Sequence, residues 1–305
     1  MSNNQYKMSR YLQKNNNNFS ALQPDFNCKT LNKQLFGYLQ ETYVLTVRLI
    51  KQSLRRPSLL ITSIIQPLLW LIIFSALFQH APIQNFTQGQ TYSEFISSGI
   101  IVFTGFTASL NSGLPIMFDR EFGFFNRIIS SSIYSRYSIL ISSSIHIIIS
   151  SFIQIGVITW IINNLGQSIQ LQLSTHILKI LLILFLLSNT ITSLSLILAF
   201  ILPGHIELLA CILIINLPLL FCSTALAPMH FMPSWLQIIA SINPLTYAIE
   251  TIRYIFLNQY ISSTSIIANT IWGPINFEHI LIILIGTNLI TVFLGHKLIA
   301  NKFED

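Results

Sequence analysis

Charge is what this sequence has least of. Asp, Glu, Lys and Arg make up 9% of its 305 residues, where soluble domains carry about a quarter. With 52% hydrophobic residues and a mean hydropathy of +0.64, there is too little polar surface for an ordinary water-soluble enzyme. Cysteine is scarce too. Cys28 lies in a polar tail, and Cys211 and Cys222 share one predicted helix, about 16 Å apart along its axis. That separation is beyond the reach of a disulfide, so no disulfide framework follows and the redox compartment stays open. Catalytic signatures are missing. No GxxxxGK[ST], HExxH, CxxC or GxSxG occurs, which leaves no phosphate-cradling loop, metal-binding helix or serine elbow to build on. The first thirty residues contain no apolar core of the kind a cleavable signal peptide needs.

What is there is a set of long apolar runs. Several exceed the roughly 18 residues that read as a membrane span. In lipid a helix satisfies its own backbone hydrogen bonds, so the sequence predicts an all-α membrane protein. Spans are expected over about 58–78, 95–117, 138–162, 177–202, 207–227 and 280–299, six in all. Before them, residues 1–30, with "QKNNNNF", read as a disordered low-complexity tail. In residues 31–56, Leu35, Leu39, Tyr43, Val47, Ile50 and Leu54 recur at spacings of three and four, with Lys33, Glu41, Arg48, Lys51 and Arg55 on other faces. That pattern predicts an amphipathic helix lying in the membrane interface. Between spans five and six, residues 231–260 are broken by Pro233 and Pro244. A re-entrant pair of short helices fits them better than a clean span.

The basic residues orient the chain. With the N-terminus inside, all of the 16 Lys and Arg except Lys179 and Arg253 fall on the inner side. The positive-inside rule therefore places both termini inside. A net charge of +6 in this arrangement marks topology and not nucleic-acid binding.

Within that inner set one stretch stands out. "FDREFGFFNRIISSSIYSR", from Phe118 to Arg136, concentrates Asp119, Arg120, Glu121, Arg127 and Arg136. Arginines at helix ends hold a protein in its membrane, which accounts for Arg127 and Arg136. It accounts less well for Asp119 and Glu121, because acids contribute little to topology. An acid–base–acid triplet beside aromatics also suits a docking surface, where rings bury area and charges set register.

This stretch resembles the inner loop of ABC-2 type transporter permeases, with an acidic–Arg–Glu triplet, a Gly, an Asn-Arg pair and a small-residue run ending in Ser-Arg. A second stretch, "LAPMHFMPSWLQIIASINPLTYAIETIRY" over 226–254, resembles the family's outer signature through Asn243, Pro244, Leu245, Tyr247, Glu250 and Arg253. The likeness covers about residues 31–300, with 57–305 as the six-span domain. It implies an exporter subunit that binds no cofactor itself. ATP and Mg would act at a separate ATPase subunit, and two permeases would pair with two ATPases. It further implies that residues 118–136 and the helix 31–56 seat on the ATPase. Glu121 is then the first choice for a polar contact, Phe124 or Phe125 for a buried anchor, and Asp119, Arg120 and Arg127 for the rest of the coupling surface. The richness in Ile and Asn suits an AT-rich genome such as that of an algal plastid. A plastid membrane, or alternatively a bacterial inner membrane, is the expected location.

Other polar residues in apolar runs have two readings. His146 in span three is a functional candidate by its depth, but a neutral imidazole bonded to a neighbouring helix is the simpler expectation. Asn216 and Asn288 either bridge helices or line a path. Glu250 and Arg253, three apart on one helical face, are expected as a neutralising ion pair, with an exit gate as the alternative. The competing function is a self-sufficient secondary transporter or channel, which predicts inverted repeats and mid-membrane charges. Neither is evident.

Overall fold

A computed structural model describes residues 31–55, 57–78, 92–124, 127, 137–164, 173–257 and 265–302. The Asn-rich tail, Phe125 and Arg136 lie outside them. The described chain is mostly helical. In order come α1 (Leu31–Leu54), α2 (Pro57–Leu77), α3 (Tyr92–Leu110), α4 (Gly113–Glu121), α5 (Tyr137–Asn164), α6 (Leu173–Ile201), α7 (His205–Phe221), α8 (Ser234–Ile242) and α9 (Pro244–Leu257). Then follow β1 (Ile266–Thr270), β2 (Gly273–Asn276) and α10 (Phe277–Lys302).

Among the described residues, four helical units are long and apolar enough to cross a membrane: α3 with α4, α5, α6 and α10. The segments Ile61–Leu77 and His205–Phe221 are apolar but shorter. The expected second span is interrupted. Helix α3 ends at Leu110 and α4 starts at Gly113. Ser195 of α6 serves the break, its Oγ donating to the Leu110 carbonyl and accepting the Gly113 N–H at 2.9 Å. Backbone groups freed inside an apolar bundle need such partners. Gly113 is required for this approach, because a Cβ there would lie 2.6 Å from the Ser195 carbonyl oxygen.

Helix α3 is the centre of the bundle. It is buried at every position except Ser93 and Glu94 and packs against α2, α5, α6, α7 and α9. Its Gly, Ser and Thr residues let neighbours come close, and Phe95, Phe103 and Phe106 fill the space between. The outer faces are apolar. Ile65, Leu69 and Ile72 on α2, Ile149 and Ile153 on α5, and Leu289 and Phe293 on α10 are all exposed. Soluble proteins rarely show apolar patches of that extent, and lipid explains them.

Two local features go beyond the sequence expectation. Helix α1 turns Thr42, Thr46 and Leu49 inward, against α5, while Leu39, Tyr43 and Leu54 of its apolar stripe are exposed. That part of the stripe faces away from the bundle, while Val47 and Ile50 are half-buried. The only β-structure among the described residues is the antiparallel pair β1–β2. Its β-branched run and Trp-Gly corner fit a hairpin, and Gly273 supplies the positive φ of 113° at the turn.

Candidate functional site

The Asp119–Arg120–Glu121 triplet closes α4, and each member reaches a different helix. Asp119 is buried and pairs with Arg48 of α1, its Oδ1 2.6 Å from an Arg48 guanidinium nitrogen. The same guanidinium lies over the Phe124 ring, 3.9 Å from its centroid. Arg120 points the other way, donating to the carbonyls of Ala199 (2.7 Å), Phe200 (3.2 Å), Leu202 and Pro203 (3.0 Å). These are the carbonyls that the end of α6 leaves without helical partners. A guanidinium, with five donors in a fixed fork, suits that role.

Glu121 caps the next helix. Its Oε1 accepts the His205 backbone N–H and its Oε2 lies against His205 Nδ1, both at 2.6 Å. A carboxylate on the first N–H groups of α7 satisfies a free donor and complements the helix dipole. Gly204 makes room for it, since a Cβ there would lie 3.0 Å from Glu121 Oε1.

Glu121 is engaged at both oxygens by His205 while remaining exposed, and Asp119 is enclosed. Two aromatic rings beside it are exposed too: Phe122 is 74% exposed and Phe124 38%. Arg127 is exposed as well. Sequence reasoning missed the partners Arg48 and His205, because 71 and 84 residues of chain separate them from the acids they meet.

The second motif is also a clamp. Asn243, at the corner between α8 and α9, donates to the carbonyls of Leu219 (3.1 Å) and Cys222 (3.2 Å) at the end of α7. Its Oδ1 accepts the Leu245 N–H. Pro244 opens α9, where a missing N–H costs nothing. The Tyr247 hydroxyl donates to the Ser241 carbonyl, and Leu245 is fully buried. Arg253 is buried, pairs with Glu250 at 2.7 Å and donates to the Thr224 carbonyl at 2.8 Å. It also lies 3.6 Å over the Phe95 ring. The expected ion pair is therefore present, tied into α3 and the turn after α7.

The remaining intramembrane polar groups divide in two. Asn288 of α10 donates to the Leu186 carbonyl and accepts from Asn189, so it bridges to α6. His146 sits 3.3 Å from Ser53 Oγ of α1, and Asn216 accepts from Thr107 at 3.3 Å. These two also line a cavity of about 310 Å³ walled by α1, α2, α3, α4, α5 and α7. Cys211 and Cys222 are free. Among the described residues no three His, Cys, Asp or Glu side chains converge as a metal site would need.

The family model for ABC-2 type transporters matches residues 40–257, the stretch that holds both clamps. This chain belongs to the ABC-2 type transporter family. It is 48% identical to the transport permease ycf38 of Porphyra purpurea over 283 residues, which covers 93% of this chain and 97% of that one. The identity to the ycf38 permeases of Pyropia yezoensis and Cyanophora paradoxa is also 48%, over 266 and 268 residues. Those cover 87% and 88% of this chain and 91% and 92% of the relatives. These relatives come from red algal and glaucophyte plastids.

Proposed function

We propose that this ABC-2 protein is the membrane subunit of an ATP-driven exporter, working as a homodimer with a separate ATP-binding cassette subunit in a plastid membrane. The observation that carries the reading is the triplet at the end of α4. It ties the end of α6, the start of α7 and the flank of α1 to a single turn of helix. A push on α1 or on the exposed Phe122 and Phe124 would move those helix ends together. That is how a rigid-body switch between inward-open and outward-open states would be driven. Phe122, Phe124 and Arg127 form the surface offered to the ATPase, and Asp119, Arg120 and Glu121 transmit its movement. ATP and Mg stay at the partner, which agrees with the lack of a phosphate-binding loop in this sequence.

Six crossings with both termini on the stromal side fit the distribution of Lys and Arg. The two shorter apolar segments, Ile61–Leu77 of α2 and His205–Phe221 of α7, count among the six, since about 17 residues suffice for a thin or locally deformed bilayer. In this topology α8 and α9 form the outer re-entrant pair. The exposed stripe of α1 lies on the inner interface, against lipid.

The test is co-purification. The C-terminally tagged chain is solubilised in mild detergent, its partners are identified, and ATPase activity is measured on the eluate. An ATP-binding cassette subunit that is present with the native chain and lost on replacing Phe122 and Phe124 supports the assignment. Solute flux through the chain alone in liposomes, with no such partner, would replace it with a secondary transporter.

A further inference from the structure

Resting on the permease reading with both termini on the stromal side, we propose that the outward face of α1 holds the head of an anionic lipid of the inner leaflet. That face carries a hollow of about 560 Å³. Arg48, Lys51 and Arg55 line one part of it, and Tyr43, Val44 and Val47 line another. The cations are spaced by three and by four, so they share one side of the helix. No acid is among the described residues that line the hollow. The single acid of α1, Glu41, is engaged by α5, where its Oε1 accepts from Ser138 Oγ at 2.8 Å. Arg48 is matched by Asp119. Lys51 and Arg55 are exposed, and among the described residues neither has a carboxylate partner. The hollow is therefore left with two unbalanced positive charges.

Their place and surroundings point to lipid as what balances them. Helix α1 ends at Leu54 and α2 opens at Pro57, so Lys51 and Arg55 stand within two turns of the residue where the chain enters its first apolar span. Basic residues at a span end lie at the level of the head groups. Beside them Tyr43, Val44 and Leu54 are exposed, and the apolar surface continues onto Ile61 and Ile65 of α2. A dissolved anion would leave that surface in water. A lipid covers it with its chains while its head meets the cations, and the two gains add. Lys and Arg at a span end orient a chain in its membrane whatever lipid is present. That accounts for the sign of the charge, and not for a hollow that is cationic in one part and apolar in another. Arg48 belongs both to the hollow and to the pair with Asp119, so a head group seated there would brace α1 beside the triplet.

The test uses the full-length chain alone, released from nanodiscs made of equal parts phosphatidylglycerol and phosphatidylcholine, with retained lipids counted by native mass spectrometry. A basic residue near an anionic surface is worth about fivefold, so two of them should favour phosphatidylglycerol about twenty-five-fold. The double variant Lys51→Gln with Arg55→Gln should bring the two lipids close to parity. Both positions are exposed, and the melting temperature in phosphatidylcholine alone checks that the variant folds. Lys297→Gln, which removes an exposed charge from α10, should leave the preference unchanged. No preference in the native chain, an unchanged preference in the double variant, or a loss in Lys297→Gln as large as in Arg55→Gln overturns the proposal. So does displacement of phosphatidylglycerol by inorganic phosphate, which would make the hollow a site for free anions. Loss of a co-purifying ATPase from the double variant, with lipid retention intact, would give this face to a protein and overturn it too. No ATPase takes part in the lipid measurement, so its failure leaves the permease assignment standing. Failure of the co-purification test would in turn leave the lipid preference untouched.

Discussion

Glu121 holds His205 at two points, its carboxylate oxygens lying 2.6 Å from the backbone nitrogen and from Nδ1. One side chain thus fixes both where α7 begins and how its first residue is turned. Glu121→Ala and His205→Ala should each leave the protein inserted but reduce ATP-driven export. His205→Ala keeps the backbone N–H and so loses only the ring contact, while Glu121→Ala loses both; the double variant should therefore be no worse than Glu121→Ala alone. A transport assay beside ATPase activity decides it. Wild-type export in Glu121→Ala would show that the cap transmits nothing.

Arg120 is a stronger case for stability. It gathers four carbonyls from the end of α6 and the turn beyond it. Hydrogen bonds from a charged donor contribute about 1.5–3 kcal/mol. Arg120→Ala should cost about 2 kcal/mol, seen as a lower melting temperature in detergent. Lys should recover only part of it, since a single ammonium cannot span the same carbonyls. Full recovery by Lys would reduce the role of Arg120 to its charge.

Much of this was legible in the sequence, and the limits have physical causes. The apolar runs announced α3, α5, α6 and α10 because bilayer thickness fixes how long such runs must be. The prolines announced the split between α8 and α9, because Pro233 and Pro244 cannot continue a helix. The roles of the charged residues were harder. Nothing local distinguishes an acid that meets an ATPase from one that caps a helix 84 residues away. Composition also could not place the break after Leu110, which depends on Ser195 standing opposite it. The cavity assembles from six helices, and no single segment carries its pattern.

At the other motif, Arg253 and Glu250 form a nearly enclosed pair, with side-chain exposures of 7% and 19%. Removing one partner of such a pair leaves a buried charge and costs about 3–5 kcal/mol. Arg253→Met should therefore sharply lower folded yield. Arg253→Met with Glu250→Gln should recover a good part of it, because no bare carboxylate remains. Yield and melting temperature of the two variants, side by side, make the test. A double variant no better than the single one would mean that the bonds to Thr224 and the contact with Phe95 matter more than the ion pair.

Two glycines offer the sharpest contrast in packing. At Gly113 a Cβ would lie 2.6 Å from a backbone oxygen of Ser195 and 2.9 Å from its Oγ. Helices α4 and α6 would have to separate, and the Ser195 link across the broken span would lengthen. Overpacking of this kind costs about 1–3 kcal/mol. At Gly286, on α10, nothing lies within 4 Å of the same added atom. Gly286→Ala should be neutral or slightly stabilising, because Ala is the better helix former. Thermal unfolding of both variants in one detergent removes differences in solvent from the comparison. The triplet that holds α6 and α7 depends on α4 staying seated against α6. Gly113→Ala should therefore lose export as well as stability, while Gly286→Ala keeps both. Equal melting temperatures for the two would show that α4 and α6 have slack between them, and that the close approach at Ser195 is not what holds the broken span together.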